Sequence, residues 1–212
     1  TMLLMLTALR RADLLYRWVK TDAWERRRQY QGQEAHGRTL GLVGMGDIAQ
    51  RVADLAKAFG MQVQYANRSQ KHVPYPRVPL EVLMQTSDAI SLHVALTDET
   101  RGHIASAELA SLKPGAVLLN TARGAVVDEA AVLAALEAGR LAVYASDVLV
   151  TEPPAVSHPL VQHPGFIGTP HVGAVTQDAY RTMCVHVATE VASLLQSGGL
   201  DQASVVNGKH LY

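Results

Sequence analysis

The sequence predicts an α/β fold, a doubly wound parallel sheet between two layers of helices (three layers, α/β/α). Two observations predict it. Short, continuously apolar segments alternate with helical segments, and the turns between them are short. Continuous apolar runs are typical of parallel strands buried on both faces, and strand–helix alternation is typical of βαβ units. The chain has 212 residues, of which 48% are hydrophobic, so it can bury a large core.

The composition makes several functions improbable. The 19 basic residues balance 19 acidic ones, so no broad field favours nucleic acid or an anionic membrane. The one cysteine, Cys184, forms no internal disulfide and fits the reducing cytoplasm, where we place the protein. The apolar start, TMLLMLTALRR, is too short to span a bilayer. No His, Cys and Asp cluster has metal-ligand spacing, so we predict no metal site.

Residues 1–37 precede the alternating pattern. Apolar side chains continue at helical spacing through Leu14, Leu15 and Trp18, which predicts an amphipathic helix. A polar, charged run after Trp24 predicts a surface connection.

From residue 38 onward the pattern predicts six strands and five helices. The strands are predicted at 39–44, 61–66, 88–94, 115–121, 141–148 and 165–171. The helices are predicted at 47–60, 79–87, 106–112, 128–140 and 175–198.

The first strand leads into a glycine-rich turn and a helix. The turn contains Gly44-x-Gly46-x-x-Ala49. Gly44 permits a tight turn, Gly46 lets the backbone approach a pyrophosphate, and a small residue at 49 lets the helix pack on the strand. In this strand-to-helix context the pattern predicts a Rossmann-type fold that binds a dinucleotide.

The second strand ends in Asn67, Arg68 and Ser69. An NAD site usually has an acidic residue here to bind the ribose 2′-hydroxyl. Because the acid is absent and a guanidinium can pair with a 2′-phosphate, the segment favours NADP over NAD, with NAD still possible.

Further motifs resemble the D-isomer-specific 2-hydroxyacid dehydrogenases. They are SLHVALTDETRGHI at 91–104, LKPGAVLLNTARGAVVDEAAVLAALEAGRLAVYASDV at 112–148 and TPHVGAVTQDA at 169–179. The resemblance runs in order from about Met2 to the VVN near the C-terminus. It implies hydride transfer between a nicotinamide cofactor and a small 2-oxoacid or D-2-hydroxyacid. The Asn-Arg-Ser segment is similar to that of NADP-preferring glyoxylate and hydroxypyruvate reductases.

The resemblance implies a catalytic trio of Arg123, Glu152 and His171. Each follows the carboxyl end of a predicted strand, where open α/β sheets bind ligands. Arginine can grip a substrate carboxylate with two parallel hydrogen bonds. Histidine can protonate the oxygen that becomes the alkoxide, and a carboxylate beside it favours the charged imidazole and fixes its orientation.

The same resemblance implies further cofactor contacts. They are expected at Asp47, Ile48, Val94, Thr121, Ala122, Asp147 and Gly173, in addition to Gly44, Gly46, Asn67, Arg68 and Ser69. His93 is expected to be structural beside the cofactor crevice.

The resemblance also predicts the domain organisation. Residues 1–37 are expected to form an arm that contacts a second subunit in a homodimer. Residues 38–197 are expected to form the dinucleotide-binding domain, and 198–212 a return segment toward a substrate domain that the chain lacks. We therefore expect this chain alone to be poorly active.

Three other interpretations remain open from the sequence. The chain could be a dinucleotide-sensing, corepressor-like binding protein. It could belong to the phosphoglycerate or phosphite dehydrogenase branch. It could also be a cofactor domain that lost its catalytic partner in evolution.

Overall fold

A computed structural model describes residues 1–197 of the chain. The chain divides after His171 into two units, each described by itself. The predicted return segment, 198–212, lies outside the described residues.

The first unit is built on a six-stranded parallel sheet, as predicted. Its strands are β1 (Thr39–Val43), β2 (Gln62–Ala66), β3 (Ala89–Leu92), β4 (Ala116–Asn120), β5 (Leu141–Ser146) and β6 (Phe166–Gly168). They lie in the order β2-β1-β3-β4-β5-β6. The order reverses direction at β1, beside which β3 lies, so a topological switch point opens at the carboxyl ends of β1 and β3.

The helices of this unit are α1 to α7. They are α1 (Met2–Arg10), α2 (Ala12–Lys20), α3 (Asp47–Ala58), α4 (Leu80–Thr86), α5 (Ser106–Ala110), α6 (Glu129–Glu137) and α7 (Pro159–Gln162). Short 3-10 turns at Trp24–Gln29 and Gly124–Val126, and the four-residue α7, were not predicted from the sequence. The second unit contains α8 (Gln177–Ser197), within the predicted range.

Two hydrophobic clusters, one on each face of the sheet, make the three layers. Val117 and Leu119 of β4 belong to the cluster that includes α1 and α3, whereas Leu118 belongs to the cluster with α4 to α7. This alternation follows from the strand period of two. It also explains why β4 reads as a continuous apolar run, since both faces are buried.

The amino-terminal helix differs from the prediction of one continuous helix. It is broken at Arg11, whose φ of 45° is left-handed and separates α1 from α2. The Arg11 side chain compensates by pairing with Asp13 and donating a hydrogen bond to the carbonyl of Pro164 at 2.8 Å. Backbone dihedrals of this kind carry no periodic signal, so the hydrophobic pattern could not reveal the break.

The two amino-terminal helices also differ in burial. Helix α1 buries Leu4, Met5, Ala8 and Leu9 in the core of its own unit, so this face of the predicted arm is already covered. Helix α2 has no fully buried residue. Large apolar side chains stay exposed at Leu3, Tyr16, Val19 and Trp24.

Candidate active site

The glycine turn joins β1 to α3 as the sequence predicts. Gly44 has a φ of 94°, and a Cβ there would lie 2.6 Å from the carbonyl oxygen of His93. Only glycine fits such a position without displacing the neighbouring backbone. Gly46 is the N-cap of α3, and a Cβ there would meet nothing within 4 Å. The amino end of α3 therefore faces open space, and Asp47 and Ile48 form its first turn.

A cavity of about 900 Å³ opens above this turn. Six of the predicted cofactor residues line it, namely Gly44, Gly46, Asn67, Arg68, Ser69 and Val94. It is also lined by side chains that the sequence analysis did not assign to the cofactor site, among them Lys71, Arg77, His93, Glu99 and His103. The glycine turn and the end of β2 thus share one cavity at the switch point of the sheet.

The segment after β2 is held in place by Arg77. Its Nε donates to the carbonyl of Asn67 at 2.9 Å, and its Nη2 donates to the carbonyl of Arg68 at 2.8 Å. The Asn67 side chain in turn donates to the carbonyl of Ser69 at 2.8 Å. The backbone is thereby fixed while the Arg68 side chain extends into solvent, where its Nη1 lies 2.5 Å from Oε2 of Glu99.

His93, predicted to be structural beside the cofactor crevice, lines this cavity and is largely buried. Burial lowers its pKa to about 4, so the ring is neutral near pH 7. Its Nε2 lies 2.9 Å from the hydroxyl of Ser91. His93 therefore forms part of the cavity wall as an uncharged ring.

A second cavity, of about 570 Å³, lies at the carboxyl ends of β5 and β6. Asp147, Glu152 and His171 line it together with the apolar side chains of Leu149 and Phe166. Its wall therefore combines two carboxylates, an imidazole and apolar surface.

Glu152 and His171, which lie 19 residues apart, form a close pair. Nδ1 of His171 donates to Oε2 of Glu152 at 2.7 Å, and the N–H of Leu149 donates to Oε1 at 2.9 Å. These hydrogen bonds, that from His171 first, lower the pKa of Glu152 below its usual value. The carboxylate is thus ionised near pH 7, and the pair uses Nδ1 of His171, so that Nε2 is the ring nitrogen outside the pair.

The backbone at His171 is unusual. Its φ of 53° lies in the left-handed region, which is uncommon for a residue with a Cβ. The sequence predicts that the sixth strand continues to residue 171, but β6 ends at Gly168. The turn is tied down by Thr169, whose hydroxyl donates to Oδ1 of the buried Asp147 at 2.5 Å. The chain therefore leaves the sheet early and turns the imidazole toward Glu152.

Arg123 follows the carboxyl end of β4 and is exposed. The buried amide of Asn120 organises the turn, because it donates to the carbonyl of Arg123 at 3.0 Å and accepts from the N–H of Ala122 at 3.0 Å. Nη1 of Arg123 donates to the carbonyl of Ala122 at 2.7 Å. Within residues 1–197, no hydrogen bond or ion pair joins the guanidinium to Glu152 or His171. The structure thus brings two members of the predicted trio together, while the third, Arg123, binds a backbone carbonyl instead.

Gly124, directly after Arg123, lies where a side chain would not fit. A Cβ at Gly124 would lie 2.1 Å from the carbonyl carbon of Leu149. The backbone that leads to Glu152 therefore packs directly against Gly124. Glu129 holds the same segment from α6, since its Oε1 accepts from the N–H of Val150 at 2.8 Å.

Three predicted cofactor residues remain, namely Thr121, Ala122 and Gly173. Thr121 and Ala122 follow β4, between the segments that line the two cavities, and the hydroxyl of Thr121 lies 2.7 Å from that of Thr1. Gly173 belongs to the second unit. Sequence reasoning missed Arg77, Glu99, Glu129 and Thr169, because a polar residue in a loop has no periodic pattern that distinguishes it from a solvated one.

The residues present fit a dinucleotide. The space above Gly46 and the N–H groups of α3 suit a pyrophosphate, and Arg68 and Lys71 give the far end of the same cavity a positive charge. Among the residues that the structure describes, no group of three or more His, Cys, Asp or Glu side chains could hold a metal ion. No helix in that part of the chain is long and apolar enough to cross a membrane.

Comparison with known proteins gives a family match over most of the chain. The family described as "D-isomer specific 2-hydroxyacid dehydrogenase, NAD binding domain" matches residues 2–173. Among curated relatives, a D-3-phosphoglycerate dehydrogenase of Bacillus subtilis is 39% identical over 194 residues, which cover 89% of this chain and 36% of that protein. A glyoxylate reductase of Aeropyrum pernix is 38% identical over 207 residues, covering 92% of this chain and 62% of that protein.

Solved structures give the same result. A glyoxylate reductase from Paecilomyes thermophila superposes with a TM-score of 0.86 at 35% identity, over 94% of this chain and 62% of that one. A D-2-hydroxyisocaproate dehydrogenase gives a TM-score of 0.86 at 25% identity. The chain thus spans between 36% and 62% of the length of the two curated relatives described above.

Proposed function

Because this chain belongs to the D-isomer-specific 2-hydroxyacid dehydrogenase family, through its nicotinamide-dinucleotide-binding domain, we propose that it serves a reductase of small 2-oxoacids that uses NADPH. The observation that carries the proposal is the Glu152–His171 pair at the carboxyl edge of the sheet, in the same unit as the glycine turn. Glyoxylate and hydroxypyruvate are the substrate type, by similarity to relatives with those names.

His171 is the proposed proton donor. A reduced nicotinamide bound in the first cavity would supply the hydride that reduces the carbonyl carbon of the 2-oxoacid. Glu152, ionised because its pKa is lowered, accepts the Nδ1 hydrogen bond and stabilises the charged ring. Nε2 of His171 then donates a proton to the carbonyl oxygen, which becomes the uncharged hydroxyl group of the 2-hydroxyacid anion.

Arg123 is the proposed anchor of the substrate carboxylate. Its guanidinium is exposed and its present partner is a backbone carbonyl. A carboxylate offers two charge-assisted hydrogen bonds in place of one neutral one, so Arg123 exchanges partners when substrate arrives. Oriented in this way, the carbonyl oxygen of the substrate lies within reach of His171.

Replacement of His171 separates catalysis from binding. We expect His171→Gln to lower kcat by about 10²–10⁴-fold, the usual contribution of a general acid, while the Kd of NADPH changes less than about twofold. His72→Gln, at an exposed loop position, is the control and leaves both constants unchanged. Equal losses in kcat and cofactor affinity would mean that His171 is structural.

The preference for NADPH rests on Arg68 and on the absence of an acid at 67. A 2′-phosphate pairs with the guanidinium, and Lys71 adds positive charge to the same cavity. Fluorescence titration of the chain with NADPH and with NADH tests this directly. Tighter binding of NADH would overturn the NADP preference and leave the reductase proposal in place.

A homodimer is the proposed assembly. Leu3, Tyr16, Val19 and Trp24 expose large apolar side chains on the amino-terminal segment, and symmetric pairing would remove them from water. Light scattering at micromolar concentration should give twice the mass of one chain. A Tyr16→Glu, Val19→Glu double variant should be monomeric, and an unmodified chain that stays monomeric contradicts the assembly.

A further inference from the structure

An ion pair joins Arg68 and Glu99, which both line the first cavity. Arg68 follows β2 and Glu99 lies in the loop after β3, so the two side chains come from different segments of the chain. Nη1 of Arg68 lies 2.5 Å from Oε2 of Glu99, and both side chains are strongly exposed. Glu99 is the one carboxylate among the described residues that line this cavity.

The loop that carries Glu99 is ordered by its own hydrogen bonds. The hydroxyl of Thr100 donates to the carbonyl of Ala95 at 2.6 Å and accepts from the N–H of Thr97 at 2.8 Å. The N–H of Thr100 also donates to the carbonyl of Thr97 at 3.2 Å. Glu99 is therefore presented from a defined turn opposite the end of β2.

The two arginines of the cavity differ in their partners. The guanidinium of Arg77 binds the carbonyls of Asn67 and Arg68, so it is used in holding the backbone. The guanidinium of Arg68 binds the Glu99 side chain. Arg68 is thus the arginine that can turn to a ligand, and doing so requires it to leave Glu99.

We propose that Glu99 is a specificity-determining residue that competes with the 2′-phosphate of the cofactor for Arg68. The inference rests on the proposed use of NADPH. A phosphate that binds Arg68 must break the pair with Glu99, and the two anions then repel each other at short range. NADH has no 2′-phosphate and does not need Arg68, so the pair can persist. Glu99 therefore lowers the affinity for NADPH relative to that for NADH, so that the protein can still use NADH.

The size of the effect follows from the exposure of the pair. Exposed ion pairs contribute little free energy, so the loss of the Arg68–Glu99 pair alone changes the affinity for NADPH by about two- to fivefold. Removal of the repulsion between Glu99 and the 2′-phosphate increases this change. We expect Glu99→Gln to tighten NADPH binding by about three- to tenfold at low salt and to change NADH binding by less than about twofold. Because exposed charges are screened, the gain shrinks as ionic strength rises.

The test is the change in the ratio of the Kd for NADPH to the Kd for NADH, measured by fluorescence titration of the chain. Asp98→Asn is the matched control, since it removes the same charge from the neighbouring exposed residue, which does not line the cavity. It should leave the ratio unchanged. In an Arg68→Gln background, Glu99→Gln should lose most of its effect, because the competed partner is gone.

Each outcome separates this inference from the proposed function. If Glu99→Gln leaves the ratio unchanged, or weakens NADPH binding because the acid holds Arg68 ready for the phosphate, the competition is wrong. If Asp98→Asn changed the ratio by the same factor, the effect would come from the net charge of the protein and not from Glu99, and the competition would again be wrong. An unmodified chain that prefers NADH refutes the NADP preference alone, because the shift caused by Glu99→Gln is read independently of the starting ratio.

Discussion

At the scale of the residue, Glu152 and His171 determine how the site responds to pH. Their hydrogen bond lowers the pKa of Glu152, so the pair carries a carboxylate down to more acidic pH than an isolated glutamate would. The imidazole must carry a proton to act as an acid. Under the proposed function, reduction therefore needs Glu152 to be ionised and His171 to be protonated at the same time.

The pH profile of kcat for reduction is the corresponding prediction. We expect kcat to fall on the alkaline side, because the proposed general acid must be protonated to donate. In Glu152→Gln the amide oxygen still accepts the Nδ1 hydrogen bond, but the negative charge is gone. The charged ring is then less favoured, and the alkaline limb moves to lower pH. An unshifted limb would show that Glu152 does not control the protonation of His171.

At the scale of the element, Gly46 and Gly124 differ in what surrounds them. A Cβ at Gly46 meets open space above α3, whereas one at Gly124 meets the backbone of Leu149. We expect Gly46→Ala to leave stability within about 0.5 kcal/mol and to weaken NADPH binding, because the methyl group occupies space for the pyrophosphate. Gly124→Ala should cost about 1–3 kcal/mol of unfolding free energy by overpacking. Thermal unfolding and NADPH titration of both variants measure this contrast, and a destabilised Gly46→Ala would contradict it.

The buried carboxylate of Asp88 stabilises the end of the sheet that carries the amino ends of the strands, away from the two cavities. Asp88, before β3, accepts from Nζ of Lys113 at 2.7 Å, Nη1 of Arg38 at 3.1 Å and the N–H of Thr39 at 2.9 Å. Burial alone raises the pKa of Asp88, but the hydrogen bonds and the two cations outweigh it, so the pKa lies below its usual value. The carboxylate therefore ties together the amino ends of β1, β3 and β4.

The stability of this network depends on pH with a definite sign. Because the folded state lowers the pKa of Asp88, its contribution is present above the unfolded value of about 3.9 and is lost as pH falls through the folded value. Asp88→Asn should lower the unfolding free energy at pH 7 by about 1–3 kcal/mol and flatten the loss of stability below about pH 4. Urea unfolding across this range tests it, and parallel acid curves for both proteins would contradict it.

At the scale of the whole molecule, the regular architecture could be predicted and the local contacts could not. The succession of strands and helices along the chain could be predicted, because strands such as β4 are continuous apolar runs and the helices between them have helical spacing of apolar residues. The break at Arg11, the early end of β6 and the left-handed His171 depend on single backbone dihedrals. The Arg68–Glu99 pair joins loops 31 residues apart, and only the folded sheet brings them together.

The measurement that tests the central claim most directly follows the hydride itself. The protein is given NADPH deuterated at the transferable position of the nicotinamide ring, together with hydroxypyruvate, and the product is analysed for label and for configuration. The account predicts a D-2-hydroxyacid with deuterium on the carbon that bears the hydroxyl, and loss of this product in His171→Gln. A labelled L-hydroxyacid, or labelled product that His171→Gln forms as fast as the unmodified protein, would contradict it.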